Sequence, residues 1–302
     1  MENAIENLLN VKVKKLNKSI SGGCVNSASV YQTEDNKLLF VKQNSNDGSE
    51  KMFYGELESL KAIRSTKTVL VPNPIATGYT DGQYFIIMEY LNMTSLNKIC
   101  SAELGSQLAD MHLNNLQGEQ PNINQFGFHV ETCCGFLPQN NTWTNDWLTF
   151  FIENRLAYQI QLLQSNSDHS SSKKKVIENY WPQLKQIIPK FFEGIKVKPS
   201  LVHGDLWSGN AAQTNLKSVI FDPAAFYGHH EYDIASTTLF GGYSNEFYDA
   251  YFRKIPKENG FEYRMSLYHL FHYLNHWNHF GGQYISSTIN TFEECFNAYK
   301  YL

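Results

Sequence analysis

Three oxygen-bearing side chains stand at spacings that suit phosphoryl transfer. In the run His203-Gly204-Asp205-Leu206-Trp207-Ser208-Gly209-Asn210, Asp205 and Asn210 lie five positions apart on a polar loop that follows the apolar strand Leu201-Val202-His203. Asp222 comes twelve residues after Asn210, at the end of the strand Ser218-Val219-Ile220-Phe221. If these two strands pair, Asn210 and Asp222 reach the same end. An amide oxygen beside a carboxylate is a donor set for Mg²⁺, a hard cation that completes its shell with water and phosphate oxygens. Asp205 would then face a substrate hydroxyl and accept its proton as the phosphoryl group moves. A single Asp or Asn would more simply cap a turn; the shared spacing and the second, strand-end aspartate favour chemistry.

Such a site needs a cation for the nucleotide phosphates. Lys42 ends the strand Leu38–Lys42 and can reach them, given a carboxylate to hold it. Glu56 and Glu58 are the candidates. Phe53, Leu57, Leu60 and Ile63 form a helical apolar stripe; at ~100° per residue Glu56 lies at its edge and Glu58 on roughly the opposite face. The stripe packs inward, which selects Glu56. Ser21 to Ala28 is a small-residue loop, and Gly22, Gly23 and Cys24 would let backbone N–H groups approach phosphates. Converging N–H dipoles would also lower the Cys24 thiol pKa, although a small inert residue is the simpler reading.

The elements that must position these groups divide near Leu91. Val11–Leu16, Val30–Thr33, Leu38–Lys42 and Tyr84–Tyr90 read as strands, Ser49 has N-cap chemistry, and Pro72 and Pro74 break the chain. Beyond Leu91, Ala102–Leu116 and Trp147–Leu163 show helical periodicity, Ser165–Lys175 reads as a solvated loop, and the C-terminal part is helical again. The expectation is an α+β fold of two lobes: a small antiparallel-sheet lobe, 1–90, for the nucleotide, and a larger mainly helical lobe, 91–302, for catalysis and acceptor binding. The 302 residues are 42% hydrophobic, enough for a full core, and the net charge of −4 argues against nucleic acid. No apolar run is long enough for a bilayer, and the first ten residues do not look like a secretory leader. Five cysteines without a paired framework fit a reducing cytoplasm.

The chain resembles the fructosamine kinase (ketosamine 3-kinase) family, in the aminoglycoside and choline phosphotransferase branch of the protein-kinase-like fold. The resemblance spans nearly the whole chain. It is carried by Gly22-Gly23-Cys24 with Tyr31, Phe40-Val41-Lys42, Met52-Phe53 with Gly55-Glu56, Phe126-Gly127-Phe128, Gln139 to Trp143, His203 to Asn210, Asp222-Pro223-Ala224, Tyr227-Gly228-His229, and Glu231 and Asp233 with Leu239 to Gly242. It implies ATP- and Mg²⁺-dependent phosphorylation of the 3-hydroxyl of a ketosamine, the adduct of a reducing sugar with an amine or protein lysine. The unstable 3-phosphate then eliminates and frees the amine, which amounts to deglycation. By position, the resemblance makes Asp205 the base, Asn210 and Asp222 the metal ligands and Lys42 the phosphate lysine, with adenine on backbone groups of Glu89 and Leu91. A kinase of another small hydroxyl compound, such as an aminoglycoside or amino alcohol, and a nucleotide-binding pseudokinase are the competing readings.

Trp207, Trp143 and Gln139 are candidates for the acceptor side, each with a fold-supporting role as the alternative. The family commonly has arginine where this chain has His230. Cys133-Cys134 also looks atypical, and two buried small residues are the preferred reading. His269, His272, His276 and His279 share one helix face. With no carboxylate or thiol in evidence nearby, a hydrated face or an edge of the acceptor cleft is expected in preference to a metal site.

Overall fold

The computed structural model describes residues 1–18, 26–117, 123–165, 171–215 and 217–302, excepting the side chains at 171–174 and 176. Gly22, Gly23 and Cys24 lie outside the described residues, as do 166–170 of the expected loop.

The N-terminal part is a five-stranded antiparallel sheet of order β1-β2-β3-β5-β4. Its strands are β1 (Val13–Leu16), β2 (Ser27–Thr33), β3 (Leu38–Asn44), β4 (Pro74–Thr80) and β5 (Gln83–Glu89). Helix α1 (Glu2–Leu9) was not anticipated; Ile5 carries its apolar side onto Tyr31, Leu39, Val41, Phe85 and Ile87 of the sheet. Helix α2 (Ser49–Ser65) packs with the opposite alternates of β5, Ile86 and Met88, in the main core. A strand covered on both faces has no polar alternation to show, which is why Phe85–Met88 reads as an unbroken apolar run. Pro74 does not break the chain. It opens β4 at the sheet edge, where a missing N–H costs no ladder bond, and a register shift follows between Pro74 and Ala76. Ser49 is the first helical residue rather than the cap: Gly48, at φ 86°, holds the N-cap position, and Ser49 Oγ donates to Asn46 O (2.7 Å).

After Leu91 come α3 (Lys98–Gln117), the hairpin β6 (Thr132–Cys134) and β7 (Leu137–Gln139), and a continuous helical run. That run is α4 (Trp147–Thr149), a π-helical stretch Phe150–Ala157 and α5 (Tyr158–Ser165). Helix α6 (Ser171–Ile187) takes Ser171–Lys175 out of the expected solvated loop. Then follow β8 (Ser200–Val202), β9 (Ala211–Thr214), β10 (Lys217–Ile220), β11 (Phe226–Gly228), α7 (Glu231–Leu239), α8 (Asn245–Phe252), α9 (Phe261–Phe280) and α10 (Ile285–Tyr299).

One continuous apolar core joins α2 and β5 to α3, the π-helical stretch, α7 and α9. Polar ties reinforce it. Ala225 N–H donates to Ser59 Oγ on α2 (3.1 Å), Ile220 N–H to Leu70 O (3.0 Å), and Thr94 and Gln213 exchange two backbone bonds of 2.9 Å. Helix α2 is therefore fixed beside the segment that carries Asp222. Behind it, Arg264 of α9 grips Glu231 of α7 through Nε and Nη2, both at 2.7 Å and fully buried. Two charges so placed are stable only as a bidentate pair.

Candidate active site

The loop after β8 carries Asp205, and its shape is dictated by packing. Gly204 sits at φ 84°, and a Cβ there would lie 2.1 Å from Ala224 O, so no side chain fits. Asp233 of α7 holds the loop from below: its carboxylate accepts from His203 N–H (2.7 Å), Gly204 N–H (2.9 Å) and His112 Nε2 (3.1 Å). His203 is neutral and in one tautomer, since burial lowers its pKa, Nε2 donates to Phe221 O (3.0 Å) and Nδ1 accepts from Asp205 N–H (3.3 Å). The buried ring thus links the Asp205 loop to the strand end that precedes Asp222.

The expected strand pairing is corrected. β8 pairs with β11, and β10 pairs with β9, because the chain returns in a tight hairpin directly after Asn210. The outcome for the site is the one that pairing was meant to give: Ala211 stands opposite Ile220 and Phe221 N–H donates to Asn210 O (3.1 Å), leaving Asn210 and Asp222 at one end. Asn210 Nδ2 donates to Asp205 O (2.9 Å) and Asp205 Oδ2 (3.3 Å), so its amide oxygen is the atom left to offer a cation. Asp222 adopts φ 57°, a left-handed conformation that aspartate tolerates better than most residues. An amide oxygen and a carboxylate are hard donors, and the pair fits Mg²⁺.

Lys42 points into the protein, 7% exposed, with Nζ 2.6 Å from Glu56 Oε1 and 2.5 Å from Asp222 Oδ1. Glu58 instead pairs with Lys61 and His129 on the outer side of α2. Burial acts to lower the Lys42 pKa, but Asp222 and Glu56 outweigh it and hold the ammonium above its ordinary value. Glu56 is pushed upward by burial, against the pull of Lys42. The Asp205 carboxyl is pushed up to about 7, by burial first and the Asp222 charge second, with hydrogen bonds from Cys134 and Asn210 pulling back. A carboxylate with a pKa near neutrality is matched to proton abstraction.

The remaining candidates are placed unequally. Glu89 N–H donates to Asn73 O (2.9 Å), so only its carbonyl could serve an adenine; Leu91 lies two residues on, where the chain leaves the sheet. Trp207 is 40% exposed and not a core residue: its ring lies over Gly209, where a Cβ would come within 2.0 Å, and meets Phe240 edge-on at 6.2 Å. Trp143 packs on Tyr227 and against Gly127, a fold contact. Gln139 is 1% exposed, and both of its amide atoms lack a hydrogen-bond partner. It pairs across β6–β7 with Thr132, on the hairpin face that also carries Cys134.

The hydrated histidine face is corrected too. His269 meets Thr238 Oγ1 (2.7 Å), His276 meets His272 O (2.7 Å) and His279 Nε2 accepts from Phe136 N–H (3.1 Å), all half-buried. His272 is 1% exposed and comes within 4.8 Å of Asp205 and Cys134, counted between donor atoms. A thiol and a carboxylate therefore do lie near the face, supplied by distant segments. His230 is nearly neutralised by burial, its pKa down to about 3, and bonds Tyr251 OH (3.1 Å) instead of pairing a charge.

Sequence reasoning missed Arg155 as well. It is fully buried in the π-helical stretch, with Nη2 donating to Asn141 Oδ1 (2.7 Å) and the guanidinium 4.5 and 4.1 Å from the Phe150 and Phe226 rings. An arginine inside an amphipathic repeat looks solvent-facing, and here it lies in a π-helical stretch with its side chain buried.

The chain is similar to known proteins along most of its length. The family model described as fructosamine kinase matches residues 1–298. A ketosamine-3-kinase from Mus musculus is 41% identical over 96% of this chain and 98% of its own. A chloroplastic protein-ribulosamine 3-kinase from Arabidopsis thaliana is 41% identical over 93% and 83%. The crystal structure of a protein assigned as a fructosamine-3-kinase from Haemophilus somnus 129PT superposes with a TM-score of 0.83 at 25% identity, covering 97% of this chain and 96% of that one, so the two-lobed kinase-like fold is common to both. On a match that runs from the first residue almost to the last, the chain belongs to the fructosamine kinase family.

Proposed function

We propose that the protein transfers the γ-phosphoryl group of ATP to the sugar 3-hydroxyl of ketosamines, fructosamine and ribulosamine adducts of amines and protein lysines, and so starts their deglycation. The observation that carries this reading is the convergence of Lys42, Glu56 and Asp222 by direct contact, with Asn210 at the Asp222 end and its amide on Asp205. In this reading 1–90 presents the nucleotide and 91–302 the acceptor. Gly22, Gly23 and Cys24 line the phosphates, Glu89 and Leu91 meet adenine through the backbone, and Lys42, braced by Glu56, neutralises phosphate oxygens. Asn210 and Asp222 hold Mg²⁺, which when bound screens the charge on the transferring group. Asp205 accepts the hydroxyl proton, with the Asn210 amide fixing its carboxylate. Trp207, flat and exposed at the loop edge, offers an apolar platform for the sugar or its linker, while Gln139, buried on the β6–β7 hairpin, would act on the acceptor side only through its neighbours. Against a pseudokinase reading stands the presence of Lys42, Asp205, Asn210 and Asp222 together in the sequence. A cytoplasmic setting agrees with the free cysteines among the described residues, and no described helix is long and apolar enough to cross a membrane.

The test is ATP consumption with ribulosyl-lysine, fructosyl-lysine, kanamycin and choline side by side. Turnover is expected on one or both ketosamines. Turnover confined to kanamycin or choline refutes the acceptor assignment.

A further inference from the structure

The phosphoryl-transfer reading leaves two groups beside Asp205 unused. Cys134, on the inner face of β6, is 2% exposed and hydrogen-bonded to the Asp205 carboxylate. His272, near the middle of α9, is 1% exposed, and its Nε2 has no hydrogen-bond partner. Donor atoms of Cys134, Asp205 and His272 all lie within 4.8 Å of one another. The scaffold holds them there: Asn275, one turn along α9, donates Nδ2 to Cys134 Sγ (3.3 Å), and its Oδ1 accepts from Gln159 Nε2 (3.2 Å). An unpaired imidazole nitrogen in a dry interior is costly unless something is meant to meet it.

We propose that Cys134, Asp205 and His272 form a binding site for a thiophilic divalent cation of the Zn²⁺ class, and that its occupancy disables the kinase. One thiolate, one imidazole and one carboxylate make a borderline-soft donor set, three protein ligands with a fourth position open to water. The hard pair Asn210 and Asp222 suits Mg²⁺ instead, so the two sites select different ions. Zinc bonds of ~2.0–2.3 Å place tetrahedral ligands ~3.5 Å apart, so the trio need close by only about 1 Å. The half-buried Asp205 is the point of entry from the cleft. Burial by itself holds Cys134 as a thiol, well above its ordinary pKa; a bound cation supplies the opposite charge and displaces the proton to solvent. Ligation occupies the Asp205 oxygens where an acceptor hydroxyl would sit, while Lys42 and the nucleotide side stay open. The inhibitory half rests on Asp205 being the base; the binding half does not.

Co²⁺ titrated into the metal-free full-length protein is expected to give a thiolate-to-cobalt charge-transfer absorption that Zn²⁺ displaces. Cys134→Ser should abolish it, Cys133→Ser should keep it, and His272→Gln should weaken binding at least ~10-fold. Absorption that persists in Cys134→Ser, that vanishes equally in Cys133→Ser, or a His272→Gln affinity equal to wild type overturns the site. Thermal unfolding of each variant identifies a loss that is only misfolding, and the His272→Gln affinity then decides. In the kinase assay at fixed Mg²⁺ and ATP, Zn²⁺ should inhibit competitively with the ketosamine, and Cys134→Ser should need at least ~10-fold more Zn²⁺ for half-inhibition relative to its own uninhibited rate. Absorption without inhibition overturns the inhibitory half and counts against Asp205 as base. No absorption at all overturns the site and leaves the base to be judged by Asp205→Asn alone.

Discussion

Replacing Asp205 by Asn should make the protein both inert and more stable. Burial and the Asp222 charge raise the carboxyl to about 7, where a free aspartate titrates at 3.8. At ~1.4 kcal/mol per unit the upper bound on the strain is ~4 kcal/mol; partial exposure of the group screens this to about 2 kcal/mol. For a chain of this size that corresponds to a rise in Tm of about 4 °C. The direction of the pH dependence follows from linkage. Because the folded pKa is raised, the folded state keeps its proton longer than the unfolded chain. The strain is absent below pH ~4, develops as pH climbs toward 7, and levels off once the folded carboxyl is also ionised. Calorimetry on both proteins from pH 5 to pH 8 should therefore show the Asn variant gaining on wild type as pH rises, with kcat down by ~10²–10⁴. A variant no more stable than wild type at pH 8, or an advantage that shrinks with rising pH, would refute the argument that Asp205 is held under electrostatic strain by its surroundings.

Other consequences can be measured directly. In the free enzyme kcat/KM for the ketosamine should fall about tenfold per pH unit below ~7, as the base becomes protonated; a profile flat to pH 5 rules out Asp205 in that role. Lys42→Met leaves Glu56 buried without its cation and should cost ~3–5 kcal/mol in urea unfolding, with a raised KM for ATP. Asp222→Ala should abolish turnover that added Mg²⁺ does not restore, whereas EDTA treatment of wild type should be reversed by Mg²⁺. Trp207→Ala should raise the acceptor KM by about fivefold with kcat little changed, as expected for an exposed platform worth ~1 kcal/mol.

Most of the site could be read before folding because it is built from local runs. Asp205 to Asn210 and Phe221-Asp222 each lie on one loop or strand end, and the stripe on α2 fixes the phase of Glu56. The sequence pattern points to the wrong partner because periodicity gives the face of a strand and not its neighbour; here β9 and β10, adjacent in sequence, pair with each other. The second face of the site was illegible for the same reason. Cys134, Arg155 and His272 come from three separate elements, and nothing local in a strand or helix says that its polar residue will be buried against another. Helix α1 was passed over because its apolar stripe is short and most of its residues are exposed.

The ion pair between Lys42 and Asp222 spans residues 180 positions apart and draws the sheet onto the helical part of the chain. On the proposed function, both partners are groups that the nucleotide and its cation would claim. Loading would then exchange one clasp for another: Lys42 would turn from Asp222 to phosphate, leaving the Asp222 carboxylate free to help hold a cation. After transfer the exchange runs backward, and the re-forming clasp competes with departing ADP for the same lysine. An enzyme built this way helps expel its own spent nucleotide, and weakening the clasp should slow ejection even where it leaves chemistry intact.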